Sequence, residues 1–374
     1  MVSQMLMRRR QQKEVDRSVT IGWCVGMYLC MLGLTVALTG GPRPTIERLD
    51  ADPEIQLMHE VAHDAVHGGH VSKMKQFWGL PYAIAAMNAV TRLDYSASQL
   101  LVAWLCGLGV TILSHMLWGG RVACGFLVVN WSWMHTVVFG STEPLFMLFI
   151  LTAFLCARSH KWGEAAVSAA LSVWVRPVGV FALCAIAIAL VHRRDWKSLS
   201  RVVLAGTIVL AIYGVAAWRL GGSPFGNIVG YSEDFKGHSF PITIPFYAIT
   251  VGLVRTLRNG PLLNCVRVLG FMSLVLAAFL RWIRNDKARE SVPWGGMELA
   301  FFFSYGLFLF SYSSEKWAYA EFPRFAVPLM PFVCLVYRDW IPVRRGVMLL
   351  LGTTTCMLAA LSMYGVYRLW HSVL

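Results

Sequence analysis

Residues 50–70, DADPEIQLMHEVAHDAVHGGH, gather more chemically capable side chains than any other stretch of the chain. Three carboxylates, Asp50, Asp52 and Glu54, fall within one turn and could take a proton from an attacking hydroxyl. His59, Glu60 and His63 match H-E-x-x-H, which on a helix sets two imidazoles one turn apart to bind zinc, with the glutamate as base for a metal-bound water. His67 continues the stripe by one more turn. The plainer reading is a wet helix face, with Asp52 as an N-cap and Asp50 and Glu54 as solvated charge. A zinc peptidase also needs a third ligand, and Val66 stands where the longer form of the motif requires glycine. A divalent metal on these histidines is therefore an open cofactor reading, and no residue is assigned as a metal ligand.

The element that carries these groups is legible. Asp52-Pro53 is a helix start, with Asp at the N-cap and Pro at the first position, and Gly68-Gly69 is a stop. At 100° per residue, Ile55, Met58, Val61, Ala62, Ala65 and Val66 share one face, whereas Gln56, His59, Glu60, His63, Asp64 and His67 share the other. This amphipathic helix is expected to lie on a bilayer with its polar face toward water.

The rest of the chain explains why a bilayer is at hand. Of 374 residues, 57% are hydrophobic and only 14% charged, against roughly 25% charged in soluble proteins. The expected class is an all-α polytopic helix bundle of about eleven spans, at 20–39, 95–117, 122–140, 142–157, 163–175, 177–191, 201–219, 262–283, 297–312, 323–337 and 346–367. The net charge of +13 could suggest nucleic acid, but more than half of the Lys and Arg lie in short stretches between apolar runs. With the basic N-terminus, the loops 158–161, 192–201, 281–289 and 338–345 alternate as the positive-inside rule requires for a cytoplasmic N-terminus. A nucleic-acid partner is thus excluded, and 1–374 reads as one membrane domain. Two outer segments are long: 40–94, the first outer loop with its interfacial helices, and 220–261, whose second half should also lie in the interface. The nine cysteines sit mostly in apolar runs, which suits small core residues better than disulfides.

Six further stretches, in this order, make the chain resemble the GT-C superfamily of integral-membrane glycosyltransferases, such as the protein mannosyltransferases and the lipid A aminoarabinose transferase. They are Asp52-Pro53-Glu54-Ile55, the aromatic entry Phe77-Trp78-Gly79-Leu80-Pro81-Tyr82, the step Leu93-Asp94-Tyr95, the span opening Gly140-Ser141-Thr142-Glu143-Pro144, the turn Trp174-Val175-Arg176-Pro177, and Glu321-Phe322-Pro323-Arg324-Phe325 with Pro328-Leu329-Met330-Pro331. The resemblance covers about 60–340 together with the loop before it. It implies a polyprenyl-phosphate-linked sugar donor and a glycan, lipid or protein acceptor. It implies a loop carboxylate as general base, by position Asp52 with Asp50 next. Glu143, Arg176, Arg324, Lys75 and Glu54 are then candidates for binding the substrates, the cations facing the leaving phosphate; Lys316 is expected only to snorkel. A compact chain without a soluble appendage suits a bacterial cell membrane. Two other classes stay open: a membrane zinc metalloprotease built on His59, Glu60 and His63, and a lipid or sugar transporter. The absence of a visible internal repeat and the clustering of acids at one face argue against the transporter.

Overall fold

The computed structural model describes residues 19–69, 77–224, 242–259, 262–292, 296–313, 319 and 321–373. The basic N-terminal stretch, Lys75, Lys316 and 225–241, which make up much of the second long loop, lie outside the described residues. Among the described residues the fold is all-α, with a single antiparallel bridge between Ile242 and Tyr312.

The first span is Ile21–Leu38 (α1), begun by Thr20, whose side chain accepts from the Trp23 amide. The first loop then forms three helices, Pro42–Ala51 (α2), Pro53–His67 (α3) and Gly79–Thr91 (α4). α3 has the expected limits: Asp52 caps it by accepting from the amides of Glu54 and Ile55, and Gly68 ends it in the left-handed region at φ 78°. α2 was not anticipated from the sequence. The long helix Tyr95–Trp118 (α5) follows, capped by Asp94 through the Ala97 amide.

The expected span 122–140 is broken into Gly120–Val129 (α6) and Trp131–Val138 (α7). The break is at Asn130, whose side chain accepts from the Trp133 amide and so caps the second piece as Asn does best. Glu143–Arg158 (α8) and Trp162–Val175 (α9) come next. Arg176 precedes Pro177 and is extended at φ −151°, ψ 135°, because proline disfavours the helical region for its predecessor. After the short turn Pro177–Gly179, Val180–His192 (α10) and Trp196–Gly221 (α11) complete the first part.

The second half of the second long loop forms Tyr247–Asn259 (α12), and beyond it lie Leu262–Arg284 (α13), Asp286–Ser291 (α14) and Met297–Ser311 (α15). The expected span 323–337 is segmented as Phe322–Phe325 (α16), a 3-10 turn Val327–Leu329 and Met330–Val336 (α17). Pro323, Pro328 and Pro331 each remove an amide donor there, and proline is tolerated only at the first turn of such pieces. Arg345–Val373 (α18) ends the described chain.

Among the described residues five helices are long and apolar enough to cross a membrane: α1, α5, α11, the Cys265–Arg284 part of α13 and the Arg345–Ser362 part of α18. A sixth arises if α7 and α8, which meet at 113°, count as one broken span. The chain is an integral membrane protein, and the remaining expected spans are shorter helices, such as α9 with 14 residues and α10 with 13. Long helices are the less enclosed ones; only 17% of the apolar window of α11 is buried.

Paired contacts define two opposite ends of the bundle. At one, Arg158 at the end of α8 reaches Glu298 at the start of α15 and the carbonyl of Leu117 at the end of α5. Arg281 near the end of α13 donates to the Val336 carbonyl there and lies 4.2 Å from the Trp340 ring centroid. At the other end sit the first loop, Glu143, Arg176 and Arg324.

α4 is held at that second end by aromatic packing. Trp78 is fully buried with Tyr213 of α11 at 6.5 Å, and Tyr213 in turn lies 5.3 Å from Trp174 at the end of α9. The crossing needs glycine at 79: a Cβ there would come within 2.7 Å of the Val175 amide nitrogen and 2.8 Å of the Trp174 carbonyl carbon. Alanine normally favours a helix over glycine by up to ~1 kcal/mol, but backbone cannot yield as a side-chain tip can. Gly79→Ala is therefore expected to destabilise the protein by about 1–3 kcal/mol, read as a lower Tm of the purified protein. An unchanged or higher Tm would contradict this packing.

Candidate functional site

The three candidates Glu143, Arg176 and Arg324, which are 33 and 148 residues apart along the chain, meet at one point. Glu143 is fully buried, and its Oε1 accepts from Arg176 Nη1 at 2.8 Å and Arg324 Nε at 2.7 Å. Each partner is delivered by a local chain rule. The turn 139–142 contains Gly140 at φ 64° and sends the chain into α8, with Pro144 in its first turn and an acid at the favoured end of the helix dipole. Arg176 is thrown inward by the extended residue before Pro177, and Arg324 rides on α16 just after Pro323.

Aromatic faces complete the enclosure. The Arg176 guanidinium lies 4.4 Å from the Phe325 ring centroid and 5.6 Å from that of Phe146. Tyr305, buried on α15, donates its hydroxyl to the Phe325 carbonyl at 2.7 Å. Arg324 is also 4.0 Å from Glu321, and Arg267 of α13 lies over Trp131 at 5.2 Å. Within this group the guanidiniums of Arg176 and Arg324 share one carboxylate oxygen, and Arg324 also approaches a second carboxylate. Among the described residues only one oxygen of Glu143 is used; Oε2 is buried without a hydrogen-bond partner there. Burying an unsatisfied carboxylate oxygen is costly, which marks a place where a donor is missing.

The first loop presents its acids differently. Asp50 is exposed, accepts from Ser96 Oγ, and its carbonyl accepts from Gln56 Nε2 at 2.9 Å. Asp52 Oδ1 accepts from the Glu54 amide at 2.9 Å and the Ile55 amide at 3.4 Å; its Oδ2 makes no hydrogen bond to a described residue. N-capping thus occupies one oxygen of Asp52 and leaves the other. Glu54 is exposed in the first turn of α3. Lys75 lies outside the described residues.

The histidine stripe does not act as one face. Ile55, Met58, Val61 and Ala62 are buried as expected, but Val66 is 59% exposed and His59 is buried. His59 turns away from water because α3 docks on α5: its Nε2 donates to Gln99 Oε1 at 2.7 Å, and Gln99 Nε2 donates to the Gly140 carbonyl at 2.8 Å. This relay ties the helix capped by Asp52 to the turn that opens on Glu143. His63 stacks on His67 at 4.2 Å, and both are exposed. Among the described residues no three His, Cys, Asp or Glu side chains come together as a metal site, so the H-E-x-x-H spacing is divided between a buried tether and a wet surface.

Sequence reasoning did not single out His135 of α7. It carries no motif and lies on α7 one turn after Trp131, whose ring carries Arg267.

Two outcomes follow from this geometry. Removing one partner from a buried ion pair costs about 3–5 kcal/mol, so Glu143→Leu should lower the Tm sharply, and Glu143→Gln less because its amide still accepts from one arginine. Equal melting of both variants and the parent would contradict the arrangement. Burial also holds the His59 imidazole below its ordinary value, opposed by the bond to Gln99 and by Asp50 and Asp94. The unfolded chain then takes up a proton that the folded chain resists, so stability is full above the unfolded value of ~6.5 and is lost as pH falls from there. His59→Gln should flatten the dependence of Tm on pH below ~6.5; parallel curves for both proteins would show that His59 is not its source.

No family model matches the chain, and no curated protein matches it by sequence. Among solved structures it is similar to the crystal structure of ArnT from Cupriavidus metallidurans bound to undecaprenyl phosphate. The TM-score is 0.45 and the identity 15%, over 85% of this chain and 59% of that one. The chain therefore spans less than two thirds of the length of the protein it resembles.

Proposed function

We propose that this protein is a membrane glycosyltransferase that moves a hexose-type sugar from a polyprenyl-phosphate carrier to an acceptor hydroxyl. The observation that carries the reading is the buried Glu143 carboxylate, held through one oxygen by Arg176 and Arg324 and with the other oxygen unpartnered, at the end of the bundle where the acidic first loop lies. A sugar hydroxyl would be the donor that Oε2 lacks among the described residues, and the two guanidiniums on the other oxygen are of the chemistry that meets a phosphate. The order of the sequence stretches that resemble the GT-C superfamily points the same way.

In this reading Asp52 is the general base, with Asp50 next to it. The acceptor oxygen attacks the anomeric carbon, its proton passes to the carboxylate, and the phosphate leaves with the electron pair of the broken bond. A positioned base contributes about 10²–10⁴-fold, and donors aimed at the developing charge contribute at least as much. Glu54 of the same loop would contact the substrates, and Lys75 is kept as a cation for the leaving phosphate. The acceptor is a lipid, a glycan or a protein carrying a free hydroxyl. The basic end of the bundle, with Arg158, Arg281 and Arg338, is cytoplasmic under the positive-inside rule, so the N-terminus is inside and transfer takes place on the outer side of a bacterial cell membrane.

The test is transfer from a polyprenyl-phosphate sugar by protein reconstituted in lipid. Asp52→Asn should retain the N-cap through its amide oxygen, keep its Tm, and lose about 10²–10⁴-fold in kcat. Arg176→Ala should raise KM for the lipid donor more than for the acceptor. Full activity of Asp52→Asn would remove it as the base, and no transfer by the parent protein from any polyprenyl-phosphate sugar would sink the reaction class.

A further inference from the structure

The H-E-x-x-H spacing loses its first histidine to Gln99, but the stripe continues past it. His63 and His67, one turn apart toward the end of α3, are both exposed, and their rings stack with centroids 4.2 Å apart and planes 20° from parallel. Each Nδ1 already faces an acceptor. That of His67 lies 2.9 Å from the His63 carbonyl oxygen, and that of His63 lies 3.4 Å from Asp64 Oδ1. A carbonyl and an ionised carboxylate only accept, so both Nδ1 atoms carry the proton and each neutral ring presents Nε2 as a lone pair. Neither Nε2 makes a hydrogen bond to a described residue. Asp64 has its place over the helix end because residue 69 is glycine: a Cβ there would stand 2.3 Å from Asp64 Oδ1. Tyr95 of α5 meets the His63 ring edge-on, with centroids 6.5 Å apart.

The geometry points to a transition-metal site on the last turn of α3, with His63 and His67 as its two protein ligands through Nε2 and Asp64 as the carboxylate that orients His63. Metal-binding histidines characteristically donate the other ring nitrogen to a carboxylate or a backbone carbonyl, which fixes the tautomer and raises the basicity of the ligand. Here one ring has the first arrangement and its neighbour the second, both built from the helix itself. Zinc–nitrogen bonds of about 2.0–2.1 Å at a tetrahedral angle set two ligand nitrogens ~3.4 Å apart, and imidazoles stacked one turn apart reach that by small side-chain rotations. The ligand type selects the ion: imidazole suits zinc, copper and nickel, whereas magnesium and calcium take oxygen. A dication there also lies at the negative end of the α3 dipole. With two protein ligands the other coordination positions are open to water, which distinguishes this site from a closed structural zinc and from a zinc peptidase, whose first histidine is here a buried tether. Asp52 caps the opposite end of the same helix, so a bound ion braces the element that carries it. The site stands whether or not the chain transfers a sugar.

The experiment titrates the full chain, purified without a histidine tag, with zinc at neutral pH in competition with a chromophoric chelator. The proteins compared are the parent, His63→Ala, His67→Ala and Asp64→Asn. The parent should bind zinc and its Tm should rise as zinc is added, whereas magnesium should do neither. Asp64→Asn should weaken zinc binding about tenfold, the low end of the loss for a partner behind a ligand, and each histidine variant should lose more than that. In the parent, carbethoxylation mapped by peptide mass should be blocked by zinc at His63 and His67 together, a readout that needs no variant to fold. No zinc binding by the parent overturns the site. Undiminished binding by either histidine variant, or modification of both rings that zinc leaves unchanged, places the ion elsewhere in the chain and overturns it equally. Binding by Asp64→Asn equal to that of the parent overturns the orienting carboxylate.

Discussion

One end of the bundle is organised around one carboxylate that two arginines share. Glu143 alone would be an isolated charge in a low-dielectric interior, and Arg176 and Arg324 would each be the same problem with opposite sign. Together they are tolerable, because charge-assisted hydrogen bonds of 2.7 and 2.8 Å offset part of the loss of water. The consequence is geometric. α8, the α9–α10 junction and the broken segment around α16 must arrive at one point, or a charge is left unpaired. Proline placement serves this: Pro144, Pro177 and Pro323 each sit beside one of the three residues and stop the chain from continuing as a regular helix through it.

A second constraint couples the first loop to that point. The relay from His59 through Gln99 to the Gly140 carbonyl uses an imidazole, an amide side chain and a peptide oxygen, each with its hydrogen-bonding role fixed by the next. Asp52 lies seven residues before His59, about 10 Å along the helix. A rigid helix docked at one end and capped by a carboxylate at the other places that carboxylate at a set height above the Glu143 turn. Gly140 is part of the same device, since a Cβ there would come 3.0 Å from Gln99 Cγ.

Much of this was legible in the sequence. α3 and both its limits follow from Asp-Pro and Gly-Gly, and the basic loops mark one end of the bundle. Glu143, Arg176 and Arg324 stood out through the stretches that resemble the GT-C superfamily, and Arg176 also because charge between two short apolar runs demands a reason. What the sequence could not supply is which charges meet, since that depends on helices distant along the chain. Periodicity placed His59 on the wet face, but it could not know that Gln99 waits on α5 to receive it. The break at Asn130 hides because an apolar run of suitable length looks the same whether or not one polar residue inside it caps a new helix. His135 escaped notice for the complementary reason: a lone histidine in an apolar run acquires meaning only from the neighbours that tertiary structure brings.

The unequal lengths of the helices have a consequence for the surrounding lipid. α8 has 16 residues and rises ~24 Å, whereas α11 has 26 and rises ~39 Å. The hydrocarbon core of a bilayer is ~30 Å thick. The two cannot both match one flat film: the long helix must tilt, or the film must thin beside the short one, each at a modest cost per ångström of mismatch. The difference in length is thus a demand on the lipid as much as a property of the protein.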